Sequence, residues 1–131
     1  MVREGAVDVG CLSQMTHKLQ DDQHYSGGAT KSSSSCMKQS LYYSWDLEVD
    51  ASFRPIAVDG EVAQFRLWTA SELEQEVRYG NNLRPAMRLV ITDFLMRHGI
   101  ITPDTESNYT QIRNAMTNHR LVCNGMMCAM G

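Results

Sequence analysis

The chain has 131 residues, 43% of them hydrophobic and 21% charged, with a formal net charge of −3. That suits one globular domain and leaves no room for two. The two signs of charge are mixed, so no broad basic field favours nucleic acid, and Arg88 and Asp93 interrupt the longest apolar run well short of a bilayer span.

Residues 1–36 are weakly patterned. They open on Met1-Val2-Arg3-Glu4, which has no apolar h-region and does not read as a secretory signal, so a reducing, cytoplasmic setting is expected. Cys11, Cys36, Cys123 and Cys128 are accordingly read as free thiols; the last two stand five apart without a second Cys or His pair, a poor zinc spacing. The segment ends in Ser26-Gly27-Gly28-Ala29-Thr30-Lys31 and four serines, small polar residues that predict a flexible loop.

Residues 37–123 are patterned throughout. Leu41, Tyr43, Trp45, Leu47 and Val49 alternate with Tyr42, Ser44, Asp46 and Glu48, which predicts a half-buried strand with the aromatic set inward. Asp50 to Gly60 is a connector containing Pro55 and the turn pair Asp59-Gly60. Val62 to Trp68 alternates again and predicts a second strand, with Trp45 and Trp68 in the core rather than on a base-stacking platform.

Ser71 and Glu74 have the spacing of a capping box, so a helix is expected from Ser71 to about Tyr79, stopping at Gly80-Asn81-Asn82. Pro85 suits the first turn of a second helix. Met87, Val90, Ile91, Phe94 and Leu95 form a buried stripe along it, Arg88, Asp93 and Arg97 lie off the stripe, and Gly99 caps its end beside His98, which is favoured by the helix dipole. Thr102-Pro103-Asp104 is a turn, and Tyr109, Ile112, Ala115 and Met116 mark a last amphipathic helix. Residues 124–131 read as a disordered tail. Two strands are too few to cover the long helix, so further strands must come from residues 1–36 or from sequence outside this chain.

Three segments carry a family resemblance: Met37 to Glu48, Asp59 to Val62 with Phe65 to Trp68, and above all Leu89-Val90-Ile91-Thr92-Asp93-Phe94-Leu95-Met96-Arg97-His98-Gly99-Ile100-Ile101-Thr102-Pro103. They resemble the C-terminal half of a Nudix hydrolase domain, in the branch associated with thiamin pyrophosphokinase. The resemblance implies an α/β protein, here an incomplete α/β/α sandwich with a mixed sheet, that cleaves diphosphate-linked small molecules with Mg²⁺.

Nudix chemistry resides in a loop–helix–loop motif: a Gly, a Glu six residues on, Arg-Glu, two tandem Glu residues and a closing Gly. Carboxylates one helical turn apart share a face and jointly hold Mg²⁺, which clamps the diphosphate and activates water. Arg3-Glu4-Gly5-Ala6-Val7-Asp8-Val9-Gly10 is similar to the second half of that motif. Under the resemblance Arg3 and Glu4 are the catalytic pair, Glu4, Asp8 and Glu61 the metal ligands. Val7 stands in place of the first tandem Glu, Asp8 is one methylene shorter than the second, and the motif's first half would precede Met1. Short Arg-Glu-x-x-x-Asp strings also arise by chance, and a loop carboxylate such as Glu61 is commonly just solvated. The expectation is therefore a Nudix-type hydrolase that is inactive as this chain. The alternative is a truncated or degenerate non-catalytic fragment, a binding or interaction module if anything. The implied partner is a small diphosphate compound, with no nucleic acid and no membrane.

Overall fold

The structure, a computed structural model, describes residues 5–20, 34–117, 120–123 and 126–129. In chain order they form β1 (Ala6–Gln20), β2 (Ser34–Leu47), α1 (Ala70–Tyr79), α2 (Pro85–Arg97), α3 (Tyr109–Met116), β3 (Arg120–Cys123) and β4 (Met126–Ala129).

The segment expected to be weakly patterned contains the longest strand. β1 pairs with β2 in an antiparallel ladder running from Ala6 opposite Leu47 to Gln20 opposite Ser34, with its register shifted between Asp8 and Gly10. That bulge explains why the strand was hard to read. Apolar side chains fall at residues 7, 9 and 11 and then at 12, so the period-two pattern changes parity where the extra residue is inserted. Gly10, at φ +100°, takes a conformation that a side chain would oppose.

β2 begins earlier and ends earlier than the alternation suggested, and its faces are reversed. Tyr43 is 63% exposed and Trp45 54% exposed, whereas Tyr42, Ser44 and Asp46 are partly buried. Period two defines two faces but does not say which one packs. Here Leu12 stands opposite Tyr42 and joins the core on that face. Trp45 is therefore not a core residue.

The core is small. Leu12, Leu95, Met96, Ile101 and Met116 are buried together, Leu95 completely, where α2 and α3 pack against β1. Along α2, Val90, Ile91 and Phe94 pack around this cluster as the stripe predicted, but Met87 is half exposed. Asp93, expected off the stripe, is only 6% exposed, because Arg97 one turn on neutralises it. Pro85 occupies the first turn. Beyond the His98 cap, Gly99 at φ +71° lets the Ile100 amide bond back to the Leu95 carbonyl at 2.9 Å.

α1 starts with a capping box two residues upstream of the expected one. The Glu72 amide donates to the Thr69 hydroxyl at 3.2 Å, and the Thr69 amide donates to the Glu72 carboxylate at 2.7 Å. Thr-Ala-Ser-Glu has the same spacing as Ser-Glu-Leu-Glu, so the sequence offered two equivalent starts. At the other end, Arg88 of α2 donates to the carbonyls of Val77 and Gly80, at 3.0 and 2.6 Å, closing α1 with a side chain.

The strand expected over Val62–Trp68 does not form. These residues lie outside any ladder among the described residues, and Leu67 is 97% exposed. Alternation alone cannot make a strand without a neighbour to complete its backbone bonds. The expected mixed sheet is likewise not observed: among the described residues both sheets are two-stranded and antiparallel, β1–β2 and β3–β4. β4 occupies much of the segment expected to be a disordered tail, pairing Met126 with Cys123 and Ala129 with Arg120.

Candidate functional site

Of the expected catalytic pair, Arg3 and Glu4 both lie outside the described residues. Asp8 is described, and its setting differs from the expected one. It sits in an extended strand, so the helical i, i+4 relation that would align it with Glu4 does not arise at this position. Its carboxylate accepts the Gly10 amide at 2.9 Å and stabilises the bulge. Glu61 follows a tight turn in which Gly60 has φ +74° and the Glu61 amide donates to Asp59 Oδ1 at 3.1 Å; its side chain is exposed. No group of three or more Asp, Glu, His or Cys side chains suited to a metal occurs among the described residues. The donors in view therefore do not amount to a Mg²⁺ site, which needs several oxygens at near-octahedral positions.

What the fold does bring together is a charged cluster between β2 and α2. Arg97 reaches Asp46 with both terminal nitrogens, at 2.6 and 3.1 Å, and holds Asp93 with Nε at 2.6 Å. His98 Nε2 lies 3.1 Å from the same Asp46 oxygen, Oδ2, and its ring rests on Phe94 at a centroid distance of 4.2 Å. Hydrogen bonding from Arg97 is the main reason the Asp46 carboxyl titrates below its ordinary range, with burial opposing it and His98 adding to it. The Arg97 guanidinium is held more firmly in its charged form, chiefly by Asp46. Carboxylates engaged in this way give β2 and α2 one relative position and are poorly placed to bind a metal. The i, i+4 spacing of Asp93 and Arg97 signals half of this cluster in the sequence. Nothing local signals Asp46, which is 51 residues from Arg97.

Two recesses flank α1. One, about 400 Å³, is lined by Trp68, Glu72, Glu76 and Tyr79 among others, and the Arg66 guanidinium lies 3.9 Å from the centre of the Trp68 ring. Glu76 is committed to Asn82, accepting from its amide at 2.6 Å and its side chain at 3.0 Å. The other recess, about 350 Å³, lies where α1, α2 and α3 meet and is lined by Arg78, Arg88, Thr92, Met96 and Glu106 among others. Arg78 bridges Glu74 and Glu106 there, at 3.0 and 2.7 Å. In both recesses the charged groups already have protein partners. Cys11 is a free thiol, and no described helix is long and apolar enough to cross a membrane.

With this geometry in view, likeness to known proteins is informative. Over 82 residues, 60% of this chain, the sequence is 35% identical to "Nudix hydrolase 24, chloroplastic" of Arabidopsis thaliana. Over 83 residues, 63% of the chain, it is 32% identical to "Nudix hydrolase 20, chloroplastic" of the same plant. Two relatives are thus Nudix hydrolases by name. A protein of Saccharomyces cerevisiae described as uncharacterised is 38% identical over 76 residues, 58% of the chain. The chain spans about a fifth of each relative, 22% of its length in all three cases. No family model matches the chain. No solved structure matches it.

Proposed function

We propose that this chain is a Nudix-type segment, part of an α/β/α sandwich of the thiamin-pyrophosphokinase-associated branch. The observation that carries the reading is its 35% and 32% identity, over 60% and 63% of the chain, to two proteins named Nudix hydrolases. The substrate class is then a diphosphate-linked small molecule, a thiamin diphosphate-like compound or a nucleoside diphosphate derivative. The proposed setting is the cytoplasm. In this reading Arg3 and Glu4 are the catalytic pair, and Glu4, Asp8 and Glu61 the residues available to Mg²⁺. The metal, when bound, would supply charge stabilisation at the diphosphate oxygens.

The donors do not fit that task well. Val7 occupies a carboxylate position, and the Asp8 carboxylate is engaged by the Gly10 amide in an extended strand. The proposed chain is therefore a poor or inactive hydrolase by itself. Purified protein given Mg²⁺ is expected to release no phosphate above background, measured directly with thiamin diphosphate and after phosphatase coupling with ADP-ribose. Metal-dependent turnover that Glu4→Gln abolishes would overturn the inactive assignment and leave the family reading standing.

A second reading, a degenerate non-catalytic module that only binds a partner, is favoured by the apolar sheet face exposed around Tyr43 and Trp45.

A further inference from the structure

The outer edge of β2 has no pairing strand among the described residues. β2 is 14 residues long and is paired on one side only, with β1. The helices pack chiefly against β1 and reach β2 on its inner face, through Tyr42 and through Arg97 on Asp46, without adding a strand to its outer edge. Edges of this length are usually blunted by proline, several charges or a covering element. β2 has no proline, and its sole charges are Lys38 near one end and Asp46 near the other. Met37, Tyr43, Trp45 and Leu47 are all exposed on one face of it.

We propose that two copies of this chain pair antiparallel through the outer edges of β2, about a twofold axis normal to the sheet at Tyr42. The two hairpins then form one four-stranded sheet. Such an axis keeps the faces of the two strands aligned, so residues of like parity meet. About Tyr42, Lys38 falls opposite the partner's Asp46, and the symmetry repeats that contact at the other end. On the exposed face Met37 meets the partner's Leu47 and Leu41 meets the partner's Tyr43, side by side, while Gln39 meets the partner's Trp45.

Neighbouring registers lack the charge match. Centring on Leu41 sets Lys38 against serine and Asp46 against cysteine. Centring on Tyr43 sets Asp46 against serine and carries the partner of Lys38 past the end of β2. Asp46 has capacity for the extra contact. A carboxylate has roughly four acceptor sites, and Arg97 and His98 make three contacts with this one. Charge complementarity between Lys38 and Asp46 thus selects the register with a second copy, and the apolar residues of the exposed face line up beside one another in it.

Sedimentation equilibrium on the whole purified chain tests this, and the expected result is a concentration-dependent rise to the mass of two chains. Lys38→Glu, which opposes like charges at both ends, is expected to weaken association by at least about tenfold at low salt and by less at high salt. Register is read by disulfide trapping. Residues directly opposite on antiparallel strands lie about 4.5–5.5 Å apart at Cα, within reach of a disulfide. Leu41→Cys mixed with Tyr43→Cys is therefore expected to form a bond between positions 41 and 43, identified by peptide mass. A single-chain mass up to submillimolar concentration would overturn the proposal. So would association indifferent to Lys38→Glu, or trapping that joins position 41 to itself.

Discussion

Arg97 holds Asp46 in a two-pronged grip, at 2.6 and 3.1 Å, and so ties the end of β2 to the last turn of α2 across 51 residues of sequence. The same guanidinium holds the buried Asp93 at 2.6 Å. One planar side chain thereby fixes a strand against a helix, and an ammonium could not reproduce that geometry.

Removal of this side chain should therefore be costly. Arg97→Ala leaves Asp93 buried beside no cation and is expected to destabilise the fold by about 2 kcal/mol, within the range for losing charged hydrogen bonds. Arg97→Lys should recover only part of the loss. Urea unfolding followed by circular dichroism measures both, and equal stability of Arg97→Lys and the parent chain would contradict a two-pronged role.

Asp46 makes the fold acid-sensitive in a particular window. Hydrogen bonding from Arg97 lowers its folded pKa below the ordinary carboxylate value. The unfolded chain thus takes up a proton first as pH falls. The contribution of Asp46 is full above the unfolded pKa and is lost as pH drops through the depressed folded value. Unfolding midpoints measured between neutral pH and pH 3 should fall more steeply for the parent chain than for Asp46→Asn, and parallel curves would refute the assignment.

Thr69, rather than Ser71, caps α1. Thr69→Ala is expected to cost about 1 kcal/mol and Ser71→Ala less than about 0.5 kcal/mol. Thermal melts of the two variants distinguish the two possible starts, because the reverse order would place the cap where spacing alone first suggested.

How much was legible beforehand depended on how local the cause is. The long helix was visible in Pro85, in the stripe through Val90, Ile91, Phe94 and Leu95, and in Gly99, since each acts within a turn or two of its own backbone. The likeness to Nudix hydrolases was legible as well, through the Leu89–Pro103 segment. The candidate site was far less so: Glu4 and Asp8 were paired on the assumption of a helix, and Asp8 lies in a bulged strand.

By itself, then, the sequence determined that α1 stops at Gly80 and α2 near Gly99, that Leu41 to Leu47 alternates in a strand, and which known proteins this one resembles. Only the tertiary structure decided which face of that strand is buried, that residues 6–20 are its partner, and that residues 62–68 form no strand. The reason is physical. Capping and helical periodicity are interactions between residues a few positions apart, whereas strand pairing, sidedness and the grip of Arg97 on Asp46 depend on groups the chain brings together from far away.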